Sequence, residues 1–209
     1  MQPLAERMRP KNLDLYIGQQ HIIGIGSALR NAIHQNLLPS ILFWGPPGVG
    51  KTSLALIIAN ELKRPFYHLS AINSGVKEVR EVIEKASDNN LFNQNKPVLF
   101  IDEIHRFSKS QQDSLLGAVE KGVVTLIGAT TENPSFEVIP ALLSRCQIYV
   151  LKNLEEQELV DLFTNAIKND EFLKTKNIVI KEHEALLRIS GGDARKLLNA
   201  VEIVVNSST

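Results

Sequence analysis

Apolar residues gather in five short runs: ILFW (41–44), FYHL (66–69), VLFID (98–102), VTLIGATT (124–131) and IYVL (148–151). Most are apolar at successive positions instead of alternating. That is the pattern of strands covered on both faces, as in a parallel sheet. Helical patterns fall between the runs. Residues 52–62 are apolar almost all round, which predicts a buried helix. Val76, Val79, Ile83 and Ala86 make one apolar stripe, and Leu115, Leu116 and Val119 make another. Strand alternating with helix predicts a doubly wound α/β domain over residues 1–151.

After Leu151 the character changes. Asn153, with Glu156 three residues later, has the form of a helix N-cap pair. Leu159, Leu162, Phe163, Ala166 and Ile167 follow at helical spacing. Further helices are predicted at 182–190 and 193–206, the second capped by Asp193. NIVI (177–180) is the one candidate strand, so residues 152–209 read as a small helical domain.

Composition narrows the partners. Lysine plus arginine equal aspartate plus glutamate, 23 each among 209 residues, so bulk charge announces no polyanion and any nucleic-acid contact must be a local patch. The single cysteine, Cys146, excludes an internal disulfide and a cysteine-rich zinc module, pointing to a reducing compartment. No apolar run approaches the roughly 18 residues of a membrane helix, and MQPLAERMRPKN lacks a signal-peptide segment. The expectation is a cytoplasmic protein with no membrane partner.

GPPGVGKT (45–52) fits G-x-x-x-x-G-K-[ST] and lies between a predicted strand and a predicted helix. Glycines let backbone N–H groups turn inward around phosphate oxygens, and the helix N-terminus adds partial positive charge. Gly45, Pro46, Pro47, Gly48, Val49, Gly50, Lys51, Thr52 and Ser53 are therefore the candidate nucleotide-binding stretch. Lys51 is expected on the β- and γ-phosphates and the Thr52 hydroxyl on Mg²⁺. Asp102 ends an apolar run and is the second candidate metal ligand. Glu103 follows at once and can deprotonate a water, which favours ATP hydrolysis over phosphate transfer. Thr131, or its neighbour Thr130, is placed to meet the γ-phosphate or that water, because strand carboxyl ends line the crevice of a parallel sheet. Asn133 is a weaker candidate, and His105 reads as structural. No N-K-x-D guanine signature is present: Asn95 and Lys96 are followed by Pro97 and Val98.

The order GPPGVGKT, IDEIH, GATT, LLSRC, GDAR resembles an AAA+ ATPase. PLAERMRP (3–10), YIGQQH (16–21), DEIHRFSKSQQD (102–113) and TLIGATTENPSFEV (125–138) resemble the replication-associated recombination protein A family, also called maintenance of genome stability protein A, with the Werner-helicase-interacting ATPases as eukaryotic relatives. The resemblance implies a five-stranded parallel-sheet P-loop domain followed by a small all-α lid. It implies ATP and Mg²⁺ as ligands, an adenine-side box at Arg9, Pro10, Tyr16, Ile17 and Gly18, and a phosphate contact from the lid by Arg195. It makes Arg145 an arginine finger for a neighbouring subunit. It also implies DNA, single-stranded or forked, replication or repair proteins, and a homo-oligomer when full length, the C-terminal oligomerisation domain being absent here. Arg106 and Lys109 are candidates for a DNA-facing surface, with Lys77 and Arg80 as surface residues only. The alternatives are a clamp-loader-like or protein-remodelling ATPase, and a nucleotide-dependent scaffold without efficient turnover.

Overall fold

The computed structural model describes residues 2–71, 75–92 and 96–207. Three short helices open the chain: α1 (Leu4–Arg7), α2 (Gln20–Ile23) and α3 (Ala28–His34). Then come β1 (Ser40–Trp44), α4 (Lys51–Glu61), β2 (Phe66–Ser70), α5 (Val76–Phe92), β3 (Val98–Asp102) and α6 (Lys109–Glu120). The sheet is completed by β4 (Thr125–Thr130) and, after the single-turn α7 (Pro134–Glu137) and α8 (Pro140–Leu143), β5 (Cys146–Val150). Three helices follow: α9 (Glu156–Asn169), α10 (Glu184–Ser190) and α11 (Ala194–Ser207).

All five strands are parallel, in the order β2-β3-β4-β1-β5. The uninterrupted apolar runs follow from burial on both faces. Along β1, Ile41 and Phe43 enter one core with α4 and the N-terminal helices, while Leu42 enters the other with α5 and α6. Along β3, Val98 and Phe100 face the first core, Leu99 and Ile101 the second. Successive side chains point to opposite faces, so each strand must be apolar throughout. β5 begins two residues earlier than its apolar run, at Cys146, because its ladder with β1 starts at Ser40.

A third core joins α9 and α11 through Leu154, Leu159, Phe163, Ala166, Leu173, Leu197, Leu198 and Val201, with Leu186 and Leu187 of α10 packed against it. Leu4 of α1 belongs to it as well, although the sequence places residue 4 with the α/β domain. Arg7 explains the docking. Its Nε and Nη2 donate to the two carboxylate oxygens of Asp170 at 2.7 and 3.1 Å, and Nη1 donates to Glu202 at 2.8 Å. Glu202 also accepts the backbone N–H of Leu4 at 3.0 Å. A planar guanidinium satisfies two carboxylates at once in a way lysine cannot. Asp170 is only 4% exposed, so removing its partner strands a buried charge. Arg7→Ala should cost about 3 kcal/mol in urea unfolding. The Arg7 hydrogen bond holds the Asp170 carboxyl below the usual range. A depressed folded pKa contributes stability that is present above the unfolded value, about 3.9, and lost as pH falls below it. The fall in stability towards pH 3 should therefore be shallower in Asp170→Asn than in the parent.

Two expectations in this half do not hold. Asn153 does not cap α9; Glu155 does, in a capping box with Glu158. The Leu154 N–H donates to the Gly192 carbonyl at 3.1 Å, which keeps residues 153–154 outside the helix. NIVI forms no strand: it has no ladder partner, and Val179 is 72% exposed. Only Ile178 packs on the third core. Asp193 does cap α11, accepting the Lys196 N–H at 2.9 Å.

Candidate functional site

The carboxyl edge of the sheet and the α9–α11 unit enclose a cleft of about 390 Å³. Its floor is the loop from Pro47 to Ser53, entering α4. Gly48 and Gly50 sit at φ +72° and +94°, in the left-handed region. A Cβ on Gly48 would fall 1.8 Å from Asp193 Oδ1, and one on Gly50 2.5 Å from Tyr16 Oη. Only glycine has both the backbone freedom and the absence of bulk for this approach. The loop and the helical unit also touch directly, the Ala194 N–H donating to the Gly48 carbonyl at 3.1 Å.

Lys51 is 7% exposed and folds back on its own loop. Its Nζ donates to the Gly45 and Pro46 carbonyls at 2.6 and 2.7 Å. Burial lowers its pKa, against the opposing pull of Glu103 and Asp102. Asp102 ends β3 and Glu103 begins a 3-10 turn, and both line the cleft. Thr52 and Asp102 offer a hydroxyl and a carboxylate, hard oxygen donors of the kind Mg²⁺ takes. Arg195 reaches the same cleft from the first turn of α11.

Arg9, Pro10, Tyr16 and Ile17 form a further wall of the cleft. The Tyr16 hydroxyl donates to the Val49 carbonyl at 3.1 Å, and burial raises its pKa. It therefore stays a neutral donor that ties this wall to the phosphate loop.

Several expected residues lie outside the cleft walls. Gly45 faces β5: its Cβ would meet the Leu151 carbonyl at 2.4 Å. With Pro46 it contributes carbonyls to Lys51 instead of a wall. Gly18 is pressed against Leu154, which a Cβ would meet at 2.4 Å. Thr131 is half-buried just beyond β4. Thr130 is fully buried, and its hydroxyl is engaged by His105 and by the backbone of Glu132. Asn133 caps α7, accepting the Ser135 N–H at 3.0 Å. Cys146 packs against the second core, and burial pushes its thiol up to about 12, which suits packing and not nucleophilic chemistry.

Arg145 sits far from the cleft. Cys146, the next residue, pairs with Ser40 at the start of β1, whereas the phosphate loop follows Trp44 at its end. The Arg145 guanidinium meets Glu120 at 2.5 Å and donates to the Ala141 carbonyl at 2.7 Å. Arg106, Lys109, Lys77 and Arg80 are all solvent-exposed.

Leu162, Asn165, Leu198 and Asn199 complete the cleft from α9 and α11. No motif marks them. They were legible only as polar or apolar positions of amphipathic helices whose docking sets which face looks inward.

Residues 41–154 match the family model of the ATPase family associated with various cellular activities (AAA). The chain is 46% identical over 207 residues to replication-associated recombination protein A of Haemophilus influenzae, covering 98% of this chain and 46% of that protein. It is 41% identical over 208 residues to the ATPase WRNIP1 of Dictyostelium discoideum, covering 99% of the chain and 24% of that protein. Among solved structures, the Thermotoga maritima RuvB Holliday junction branch migration motor superposes with a TM-score of 0.76 at 30% identity, over 96% of this chain and 66% of that one. The chain thus spans less than half the length of these curated relatives. Among the described residues, no helix is long and apolar enough to cross a membrane.

Proposed function

Because the chain belongs to the AAA family of ATPases and is a homologue of replication-associated recombination protein A, we propose that it hydrolyses ATP with Mg²⁺ in this cleft and couples the cycle to work on DNA at stalled or damaged replication forks. The observation that carries the reading is the meeting of the Pro47–Ser53 loop, Asp102, Glu103 and Arg195 around one cleft. Lys51 exchanges its loop carbonyls for the β- and γ-phosphate oxygens, and loop N–H groups with the α4 N-terminus take the remaining charge. Thr52 and Asp102 would hold Mg²⁺, which when bound would neutralise phosphate charge. Glu103 takes the proton of the attacking water. Thr131, the residue after β4, orients the γ-phosphate or that water. Arg195 contacts phosphate from the lid, and Arg9, Pro10, Tyr16 and Ile17 wall the adenine side. Cytoplasmic location, partner replication or repair proteins and a homo-oligomeric state belong to the same reading.

The test has two arms. Lys51→Ala should weaken binding of a fluorescent ATP analogue by about 10- to 100-fold, the loss of one or two charge-assisted hydrogen bonds. Unchanged affinity would remove the phosphate loop from the site. In the parent, turnover should rise with single-stranded or forked DNA; stimulation by protein substrates alone would favour a remodelling ATPase.

A further inference from the structure

We propose that His105 is the positioning residue of the base Glu103, fixing its carboxylate through a hydrogen-bonded chain that begins at the phosphate loop. The proposal rests on Glu103 being the base. Glu103 adopts φ +56°, ψ +44°, a left-handed conformation uncommon for a residue with a Cβ. Such backbone persists only where the surroundings over-determine it. Here a 3-10 turn does so: the Arg106 N–H donates to the Glu103 carbonyl at 2.8 Å, and the next residue in the turn, Ile104, is fully buried. That turn brings the His105 ring back over the residue two before it. Nε2 stands 3.3 Å from Glu103 Oε2, and Nδ1 stands 3.0 Å from Thr130 Oγ1.

Thr130 Oγ1 accepts the Glu132 N–H at 3.0 Å and has one proton of its own, which either the Glu132 carbonyl at 3.1 Å or His105 Nδ1 at 3.0 Å can accept. Donating it to Nδ1 leaves Nε2–H to donate to the Glu103 carboxylate. This neutral tautomer satisfies Thr130, His105 and Glu103 together. The opposite tautomer would turn an Nε2 lone pair on a carboxylate. The chain extends further: the Thr130 carbonyl accepts the N–H of Gly45, the first residue of the phosphate loop, at 3.1 Å. Gly45 in turn accepts from Lys51 at 2.6 Å. Thr130 is fully buried, and the His105 and Glu103 side chains are 12% and 26% exposed. Arg106, a cation near Glu103, is 3.7 Å away and 56% exposed, so it is the weaker constraint.

Five forms of the chain test this: the parent, His105→Phe, His105→Gln, Glu103→Gln and the His105→Phe/Glu103→Gln double variant. His105→Phe keeps the ring's bulk and loses both nitrogens. It should lower kcat about 10- to 100-fold, the cost of a misplaced catalytic group. KM and the ATP dissociation constant should stay within about twofold, as for an interaction felt only in the transition state. His105→Gln, whose amide can donate from near the Nε2 position, should recover much of the loss. In the Glu103→Gln background His105→Phe should add no further loss, since His105 acts only through Glu103. Independently of turnover, long-range ¹H–¹⁵N spectra should show the Nε2–H tautomer. Unchanged kcat in His105→Phe, equal loss of binding and turnover, or an Nδ1–H tautomer would each overturn the positioning role while leaving the base in place. A Glu103→Gln chain with normal turnover would overturn the base assignment itself.

Discussion

A chain carrying Glu103→Gln is expected to bind ATP as the parent does and to hydrolyse it at least about a hundredfold more slowly. The carboxamide keeps the size of the side chain, so the strained turn at residue 103 and the burial of Ile104 behind it are preserved. What it loses is the capacity to take a proton from water. Binding should survive because the groups proposed to meet the phosphates, Lys51 and the loop N–H donors, are elsewhere on the cleft floor. The contrast with Lys51→Ala is the decisive comparison. There the phosphate affinity itself should fall, while the base remains intact. Isothermal titration with ATP and single-turnover hydrolysis, run on both variants, separate the two roles. Equal loss of binding in both would contradict the division of labour, and normal hydrolysis by Glu103→Gln would remove the base.

Legibility in the sequence followed the physics of each element. The strands were readable because burial on both faces demands uninterrupted apolar residues, as in Leu99, Phe100 and Ile101, all fully buried. The phosphate loop was readable because its glycines answer a steric requirement, the close approach of Asp193 and Tyr16. Where the determining partner is distant in sequence, reading failed. α9 starts late because Gly192 holds residue 154, and α1 leaves the α/β domain because Arg7 pairs with Asp170 and Glu202. NIVI shows the converse: three strand-forming residues, Ile178, Val179 and Ile180, make no strand without a neighbour to share a ladder. Among the residues that line the cleft, Pro47 to Ser53, Asp102 and Glu103 stand in motifs, whereas those on a helix face, such as Asn165 and Asn199, carry no such signal. His105 lay in plain view inside DEIHR. Its contact with Glu103 depends on a left-handed turn that no local pattern announces.

Arg145→Ala should reduce ATP turnover by about 10³-fold or more in an assembled state, with ATP binding to each chain unchanged, the range found for arginine fingers. The register of the sheet gives the reason. Ser40 pairs with Cys146 and Trp44 with Val150, so Arg145 lies beyond the start of β1 while the phosphate loop lies beyond its end. Four steps of about 3.3 Å put roughly 13 Å of strand between those levels. That is more than an arginine side chain can cross, so Arg145 cannot reach the γ-phosphate of its own chain. If it serves ATP at all, it serves the next subunit's, which requires a head-to-tail contact between two different surfaces. Glu120 now holds the guanidinium at 2.5 Å, and the Ala141 carbonyl accepts from it at 2.7 Å. Both groups of the ion pair are about two-fifths exposed, so the pair is weak enough to exchange for a phosphate. A fixed positive charge with fork geometry matches γ-phosphate oxygens, whereas lysine at this position would give charge without the bidentate fit. Mixing provides the measurement. A Lys51→Ala chain cannot hold ATP but still presents Arg145; an Arg145→Ala chain holds ATP but presents no finger. Together they should regain turnover that neither has alone, and turnover in the parent should rise with protein concentration. If an assembly shown by native mass spectrometry to contain both chains stays inactive, Arg145 is a half-exposed partner of Glu120 and nothing more.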